Sequence, residues 1–299
     1  MSNLIKIIDQ DIIFLSYDEP NAEQNYADLC QKIPWAKRVH GVKGSDAAHK
    51  ACAELSETDY FVTIDGDNQI DPKFLMQTID IDALGLTRDH VFSWCGNINI
   101  NGLQYGNGGL KLWTKKFVRN MRTHERAEKN DTEYQVEFCF DNLYYQFDEC
   151  FSNSYINASP FQAWRAGFRE GVKMSLDQGI KVDDINSIWP KNYERLLIWC
   201  SVGADIQNGL WSMYGAREGC YLTNCTDWDY TQVRDFEYLT EYWNKEYCEI
   251  SHDQLASNLN RLGETLREEL DLEISELDNN SSRFFKTVYH NNPRTMRKR

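Results

Sequence analysis

Long apolar runs are missing from this chain: nothing in its 299 residues approaches the roughly 20 consecutive apolar residues of a membrane span. A secretory leader is missing too. The opening "MSNLIKIIDQDII" has no basic start, no long apolar run and no small-residue cleavage site, so a soluble, cytoplasmic protein without membrane partners is expected. Paired cysteine spacing is absent. The nine cysteines are odd in number and include no C-x-x-C, which argues against a disulfide framework and a zinc ribbon and leaves reduced core thiols. Positive charge is in deficit, with 32 Lys and Arg against 46 Asp and Glu. The net charge of −14 disfavours indiscriminate binding to nucleic acid, because the summed field repels polyanions. The sequence also reads as free of internal repeats and low-complexity linkers.

What is present is core material: 41% of residues are hydrophobic and 13% aromatic. The length fits one large α/β domain with a helical extension. Residues 12 to 16 form a short β-type run, followed by turn chemistry at Asp18, Pro20 and Asn21 and a helix over about 22 to 32. "AKRVHGVKG" predicts a second strand. "SDAAHKACAEL" predicts a helix with Ser45 as its N-cap. "YFVTID" predicts a third strand, and "DPKFLMQTI" a helix with Pro72 at its first position. That alternation points to a mostly parallel sheet with crossover helices. "HVFSWCGNINI" and "GLQYGNGGLKLWT" add strands and a glycine-rich loop, and residues 159 to 178 read as a helix. Ser251 and Gln254 have capping-box spacing, ahead of an apolar stripe of Leu255, Leu259, Leu262, Leu266 and Leu270. The expected division is a domain over 1–245 and a helical extension with a basic tail over 246–299.

The third strand runs into Asp65-Gly66-Asp67, and a strand interior has no use for carboxylates. An EF-hand loop fails, because Ile70 stands where the turn glycine belongs and Met76 where the bidentate glutamate belongs. A plain polar turn and a divalent-metal site both remain. Mg²⁺ or Mn²⁺ prefers hard oxygens and is often held by one or two carboxylates, with substrate phosphates completing its shell. In open α/β sheets ligands bind outside the carboxyl ends of the strands, where both "SYDE" and "DGD" fall. The segment 111 to 129 gathers Lys111, Lys115, Lys116, Arg119, Arg122, Arg126 and Lys129, either as a solvated helix face or as a local anion-binding patch.

The order "SYDEPNAE", "RVHGVKG", "AAHKACAELSETDYFVTIDGDN" resembles the nucleotide-sugar half of GT-A glycosyltransferases over about residues 11 to 120. More narrowly, "YDEPNAE…PWAKRVHGV" is similar to T-even-like bacteriophage glycosyltransferases that modify hydroxymethylcytosine in DNA, which would place the protein in the host cytoplasm. The resemblance implies a GT-A-like Rossmann-type fold, a UDP-sugar donor carrying arabinose or glucose, Mn²⁺ or Mg²⁺ as cofactor, and DNA as acceptor. Carried over, it puts Tyr17 and Glu19 near the uracil and ribose and Arg38 near the base. Asp65 would lie on the ribose or metal and Asp67 on the metal, with Gly108 and Gly109 against the donor sugar. Lys115, Lys116 and Arg119 would hold DNA phosphates. His49 reads as packed or capping. The chain departs from the pattern before the "AWRAGFREG" helix, where many inverting members carry a carboxylate pair and this sequence has "NASPFQ". The base therefore falls among Asp141, Asp148, Glu149 and Asp205. A sugar nucleotidyltransferase and a non-catalytic binding protein are the other classes. The acidic loop after the first strand counts against the former, which usually carries a glycine-rich basic loop there.

Overall fold

The computed structural model describes residues 3–106, 109–121 and 142–291. Among these the chain forms two compact units: one runs to Tyr155 and omits Ile100–Leu103, and the other takes Ile100–Leu103 and everything from Ile156. The boundary at Tyr155/Ile156 lies well before residue 245.

The first unit contains β1 (Leu4–Lys6), β2 (Asp11–Ser16), α1 (Ala22–Lys32), β3 (Lys37–His40), α2 (Ser45–Leu55), β4 (Tyr60–Asp65) and β5 (Asn68–Ile70). It continues through β6 (Thr78–Asp80), β7 (Val91–Ile98), β8 (Gln104–Tyr105), β9 (Leu110–Thr114), α3 (Lys115–Asn120) and β10 (Tyr144–Ser154). β1 and β6 pair as a small separate sheet. The main sheet has the order β3-β2-β4-β9-β7-β10-β5, with β8 on β7. β2 is parallel to β3 and β4, and β7 to β10, while β9 lies antiparallel between β4 and β7. Five strands therefore run one way, as a mostly parallel α/β sheet requires, and β9 makes the hydrogen-bond ladder mixed. β2 and β4 are near-continuous apolar runs because both of their faces are covered. Alternate residues divide between two cores. Ile12, Phe14, Val62, Ile64 and Leu112 face one side; Ile13, Phe61 and Trp113 face the other with Cys52 and Ala53 of α2. Burying a side chain the size of Phe14 or Phe61 contributes about 1.5–3 kcal/mol.

Two local expectations change. Gly44, not Ser45, takes the cap position of α2, because φ there is +91°, a conformation a side chain resists. Pro72 does open a helix, but the turn over Pro72–Met76 is 3₁₀, capped by the Asp71 carboxylate accepting from Lys73 N.

The second unit is helical: α4 (Pro160–Met174), α5 (Pro190–Ser201), α6 (Gly209–Cys225), α7 (Phe236–Glu246), α8 (His252–Leu270) and α9 (Asn279–Asn291). The helical carboxyl-terminal region is thus present. The capping box of α8 forms as its spacing predicts, and Leu255, Leu259 and Leu266 are buried. One expectation fails here, since the chain does contain a short repeat. "GFREG" at 167 to 171 and "GAREG" at 215 to 219 lie on α4 and α6. They pack reciprocally. A Cβ on Gly167 would fall 1.9 Å from the Ser212 carbonyl oxygen, and one on Gly215 2.2 Å from that of Trp164. Gly171 meets Ala216 and Gly219 meets Phe168 in the same way, so the two helices run parallel with their backbones in contact. The repeated arginines diverge: Arg169 lies over the Phe236 ring, whereas Arg217 is fully buried and bidentate to Glu276.

Candidate active site

β4 delivers Asp65 to the carboxyl edge of the sheet, and the next two residues are held there from three directions. Asp65 N donates to Gly109 O (2.9 Å), Asn25 Nδ2 donates to Gly66 O (2.9 Å), and Tyr155 N donates to Asp67 O (2.7 Å). The Asp67 carboxylate accepts from Asn68 Nδ2 at 2.6 Å, and the Asn68 Oδ1 accepts in turn from Ser154 Oγ at 2.8 Å. Every bond runs within the first unit. The turn is therefore a fixed platform and not a loose end of strand.

Two glycines let neighbouring side chains pack directly against that platform. Gly109 sits at φ +56°, where a Cβ would lie 2.7 Å from Asp65 Oδ2 and 2.5 Å from Asn68 Nδ2. Gly66 leaves room for Glu19, whose Oε2 would lie 2.6 Å from a Cβ there. Glu19 Oε2 accepts from Tyr17 N at 2.8 Å, which folds the loop after β2 back over the β4 turn. Burial pushes the Glu19 carboxyl above the usual range. Hydrogen bonds from the backbone of Tyr17 and of Glu19 itself oppose that rise, and the nearby charges of Asp65 and Asp18 add to it.

The structure thus brings together Glu19, Asp65, Asp67 and Gly109, with the Tyr17 backbone bound to Glu19 and its side chain 47% exposed. Arg38 is close by but already engaged. Its guanidinium is bidentate to Glu23 (2.7 and 3.0 Å), donates to Ser16 Oγ and lies 4.9 Å from the centre of the Tyr26 ring. His49 is packed, as its sequence context suggests, against Trp113, and Nδ1 contacts Ser45 O at 2.8 Å.

Other expected residues lie elsewhere. Asp148 and Glu149 form a bulge in β10 between the Phe147–Trp94 and Cys150–Cys95 pairs, with both side chains outward. Asp148 is six residues before the strand's carboxyl end, roughly 20 Å at 3.3 Å per residue. Asp205 belongs to the second unit, where it forms a 2.8 Å ion pair with Lys286. Asp141 and Gly108 lie outside the described residues, as do Arg122, Arg126 and Lys129. Lys115 and Lys116 follow β9 at the amino edge of β4: Lys115 N donates to Asp59 O, Lys115 Nζ donates to Ser56 O at 2.6 Å, and Lys116 pairs with Asp89. Arg119 is on the same short helix, α3. This basic group is about 16 Å along the strand from Asp65, so it does not flank the carboxylate platform.

Sequence reasoning missed Lys111 as a member of the site. Its register opposite Thr63, two residues before Asp65, puts it on Asp65's side of the sheet, with Nζ 4.0 Å from Asp65 Oδ2. The signal was the two-residue step from Gly109 to Lys111, which has meaning only once β9 is known to pair antiparallel with β4.

Among the described residues no three Asp, Glu, His or Cys side chains gather as a ready-made metal cage. The donor set at the β4 turn is two carboxylates, which fits a hard divalent cation that draws the rest of its shell from phosphate and water. No helix among the described residues is long and apolar enough to cross a membrane.

No family model and no curated protein matches this chain. It is distantly similar in fold to several solved structures. A glycosyltransferase involved in glycosylation of the major capsid of PBCV-1 shares 14% identity, over 48% of this chain and 93% of that one, at a TM-score of 0.28. A putative glucose-1-phosphate thymidylyltransferase from Bacillus anthracis, solved with sucrose, shares 11% over 48% and 89%, at 0.29. HddC from Yersinia pseudotuberculosis shares 14% over 62% and 75%, at 0.26. Likeness at this level carries no residue roles across.

Proposed function

We propose that the first unit binds a nucleoside-diphosphate sugar at the carboxyl edge of its sheet and transfers the sugar to an acceptor hydroxyl. The observation that carries this reading is the Asp65-Gly66-Asp67 turn, pinned by three hydrogen bonds to its backbone and packed against Gly109. Asp65 and Asp67 would hold Mn²⁺ or Mg²⁺. When bound, that cation supplies Lewis-acid neutralisation of the charge that develops on the departing diphosphate.

The remaining work falls to the chain. Glu19 fixes the loop after β2, so that Tyr17 stands where a uracil ring can lie against it. Gly109 lets the donor sugar approach backbone. The acceptor oxygen forms a bond to the anomeric carbon as the bond from that carbon to the phosphate oxygen breaks. The bonding electrons leave with the nucleoside diphosphate, and the acceptor proton passes to a base. Asp148 sits far up β10, and Asp205 is paired with Lys286 in the second unit. With the departing phosphate as the group that takes the acceptor proton, the step needs no side-chain base and corresponds to a retaining outcome.

UDP with arabinose or glucose is the donor we favour, and hydroxymethylcytosine in DNA the first acceptor to test. The position of Lys115, Lys116 and Arg119 at the opposite edge of β4 means that such an acceptor would be met by other residues. The test is mass spectrometry of nucleosides after incubating the chain with hydroxymethylated DNA, mixed UDP-sugars and Mn²⁺. A nucleoside heavier by one pentose or hexose, lost in EDTA and in Asp67→Ala, is expected. Transfer that persists in chelator would overturn the metal role. No sugar on DNA, with transfer to an added saccharide, would move the acceptor and keep the chemistry.

A further inference from the structure

We infer that Lys111 is the cation that receives the donor's diphosphate, leaning on Asp65 in the free protein and holding the leaving phosphate oxygens when the donor is bound. This rests on the donor reading above and adds to it a residue that the paired aspartates do not imply.

Three observations carry it. The first is an ammonium with no close partner in the protein. Lys111's side chain is only 12% exposed, yet its sole ionic partner among the described residues is Asp65 Oδ2 at 4.0 Å. That exceeds the 2.7–2.9 Å of a charge-assisted hydrogen bond, and an ammonium has three donors to place. Other sheltered lysines in this chain are satisfied at close range: Lys50 by Asp46 at 2.8 Å, Lys286 by Asp205 at 2.8 Å, and Lys115 by Ser56 O at 2.6 Å. An ammonium with no close acceptor in the protein keeps its donors available to water or to a bound anion.

The second observation is position. Thr63 pairs with Lys111 and is two residues from Asp65, so Lys111 and Asp65 project from the same face of adjacent strands. Gly109, two residues before Lys111, carries no side chain beside Asp65, where a Cβ would fall 2.7 Å from Asp65 Oδ2. An anion bound to a cation at Asp65 would lie within reach of Nζ.

The third is His49. It is 6% exposed, near enough to Asp65 and Lys111 to interact electrostatically with both, and its Nε2 has no hydrogen-bond partner among the described residues. Because Nδ1 faces the Ser45 carbonyl, Nδ1 carries the hydrogen and Nε2 presents a lone pair. A neutral ring adds no competing positive charge near the ammonium. Lys111 therefore stands beside Asp65 with its charge unopposed by a second cation at His49.

The ligand chemistry is a phosphate or diphosphate. The experiment measures binding of UDP, uridine and inorganic pyrophosphate to the intact chain by titration calorimetry with Mn²⁺, in wild type, Lys111→Met and Lys111→Arg. Loss of a charged hydrogen-bond partner predicts that Lys111→Met weakens UDP and pyrophosphate by about tenfold to a hundredfold and leaves uridine unchanged. Lys111→Arg should recover part of the loss. Should the Met protein fail to fold, Lys111→Gln carries the same expectation. UDP bound equally well by wild type and the neutral variants would overturn the role of Lys111 and leave the donor reading intact. Pyrophosphate bound through Lys111 without any UDP binding would overturn the donor reading and leave Lys111 as an anion site. Binding of neither probe by the wild type would remove both.

Discussion

Glu218 shows how far one residue's chemistry can depart from its sequence context. It is buried in the second unit, and its carboxylate accepts from Trp164 Nε1 and Tyr242 Oη at 2.8 Å each and from Tyr247 Oη at short range. Tyr214 and Glu246 also face it, and no cation pairs with it among the described residues. Burial pushes its pKa up to about 7; the three donors hold it down and Glu246 raises it slightly. The folded value lies above the unfolded one, so the folded chain binds more protons between the two. The stability this group contributes is fully present below about pH 4.5 and is lost as pH rises through 7. Glu218→Gln should therefore melt higher than wild type at pH 8, and the difference should shrink or reverse at pH 5. A difference that is the same at both pH values, measured by thermal unfolding, would count against an ionising Glu218. Nothing in "GAREG" foretold this. Tyr242 and Tyr247, which donate to it, sit 24 and 29 residues away in sequence. Asp65 and Asp67 were legible for the opposite reason: their environment is set by the strand they terminate.

At the scale of elements, the parallel contact of α4 with α6 yields a prediction with an inverted sign. Gly→Ala in a helix interior ordinarily stabilises by about 1 kcal/mol. At Gly171 the added Cβ would meet the Ala216 carbonyl oxygen at 2.1 Å, so backbone must move, and overpacking of this kind costs about 1–3 kcal/mol or more. Gly171→Ala should lower the midpoint of denaturant unfolding; a raised midpoint would show that the helices can part without penalty. Elements with a polar face were legible. α1 occupies the 22–32 range its composition suggests, and α8 starts at the capping box. α6 was not, because it is buried nearly all round and has no polar stripe to reveal a period. The repeat that packs it was hidden by its size, five residues with one mismatch.

For the whole molecule, the net charge of −14 and the placement of its basic residues belong together. Lys116 and Arg119 lie on α3 at the amino edge of β4, remote from the carboxylate turn. Replacing both with Gln should leave UDP affinity within about twofold, since screening removes most surface electrostatics beyond about 10 Å at ordinary salt. A larger loss would show that this edge of the sheet participates in donor binding. The broad α/β plan was readable because strands and helices alternate. The antiparallel insertion of β9 was not, since register is a tertiary property, and with it went Lys111. The central claim is that Asp65 and Asp67 form a metal-dependent nucleotide site. It is tested most directly by measuring UDP affinity as Mn²⁺ is titrated, in wild type and Asp67→Ala. Mn²⁺ should tighten UDP binding at least about tenfold in wild type and barely at all in Asp67→Ala, as losing a charged ligand contact implies. UDP affinity that ignores Mn²⁺ in wild type, or responds to it equally in Asp67→Ala, would contradict the account.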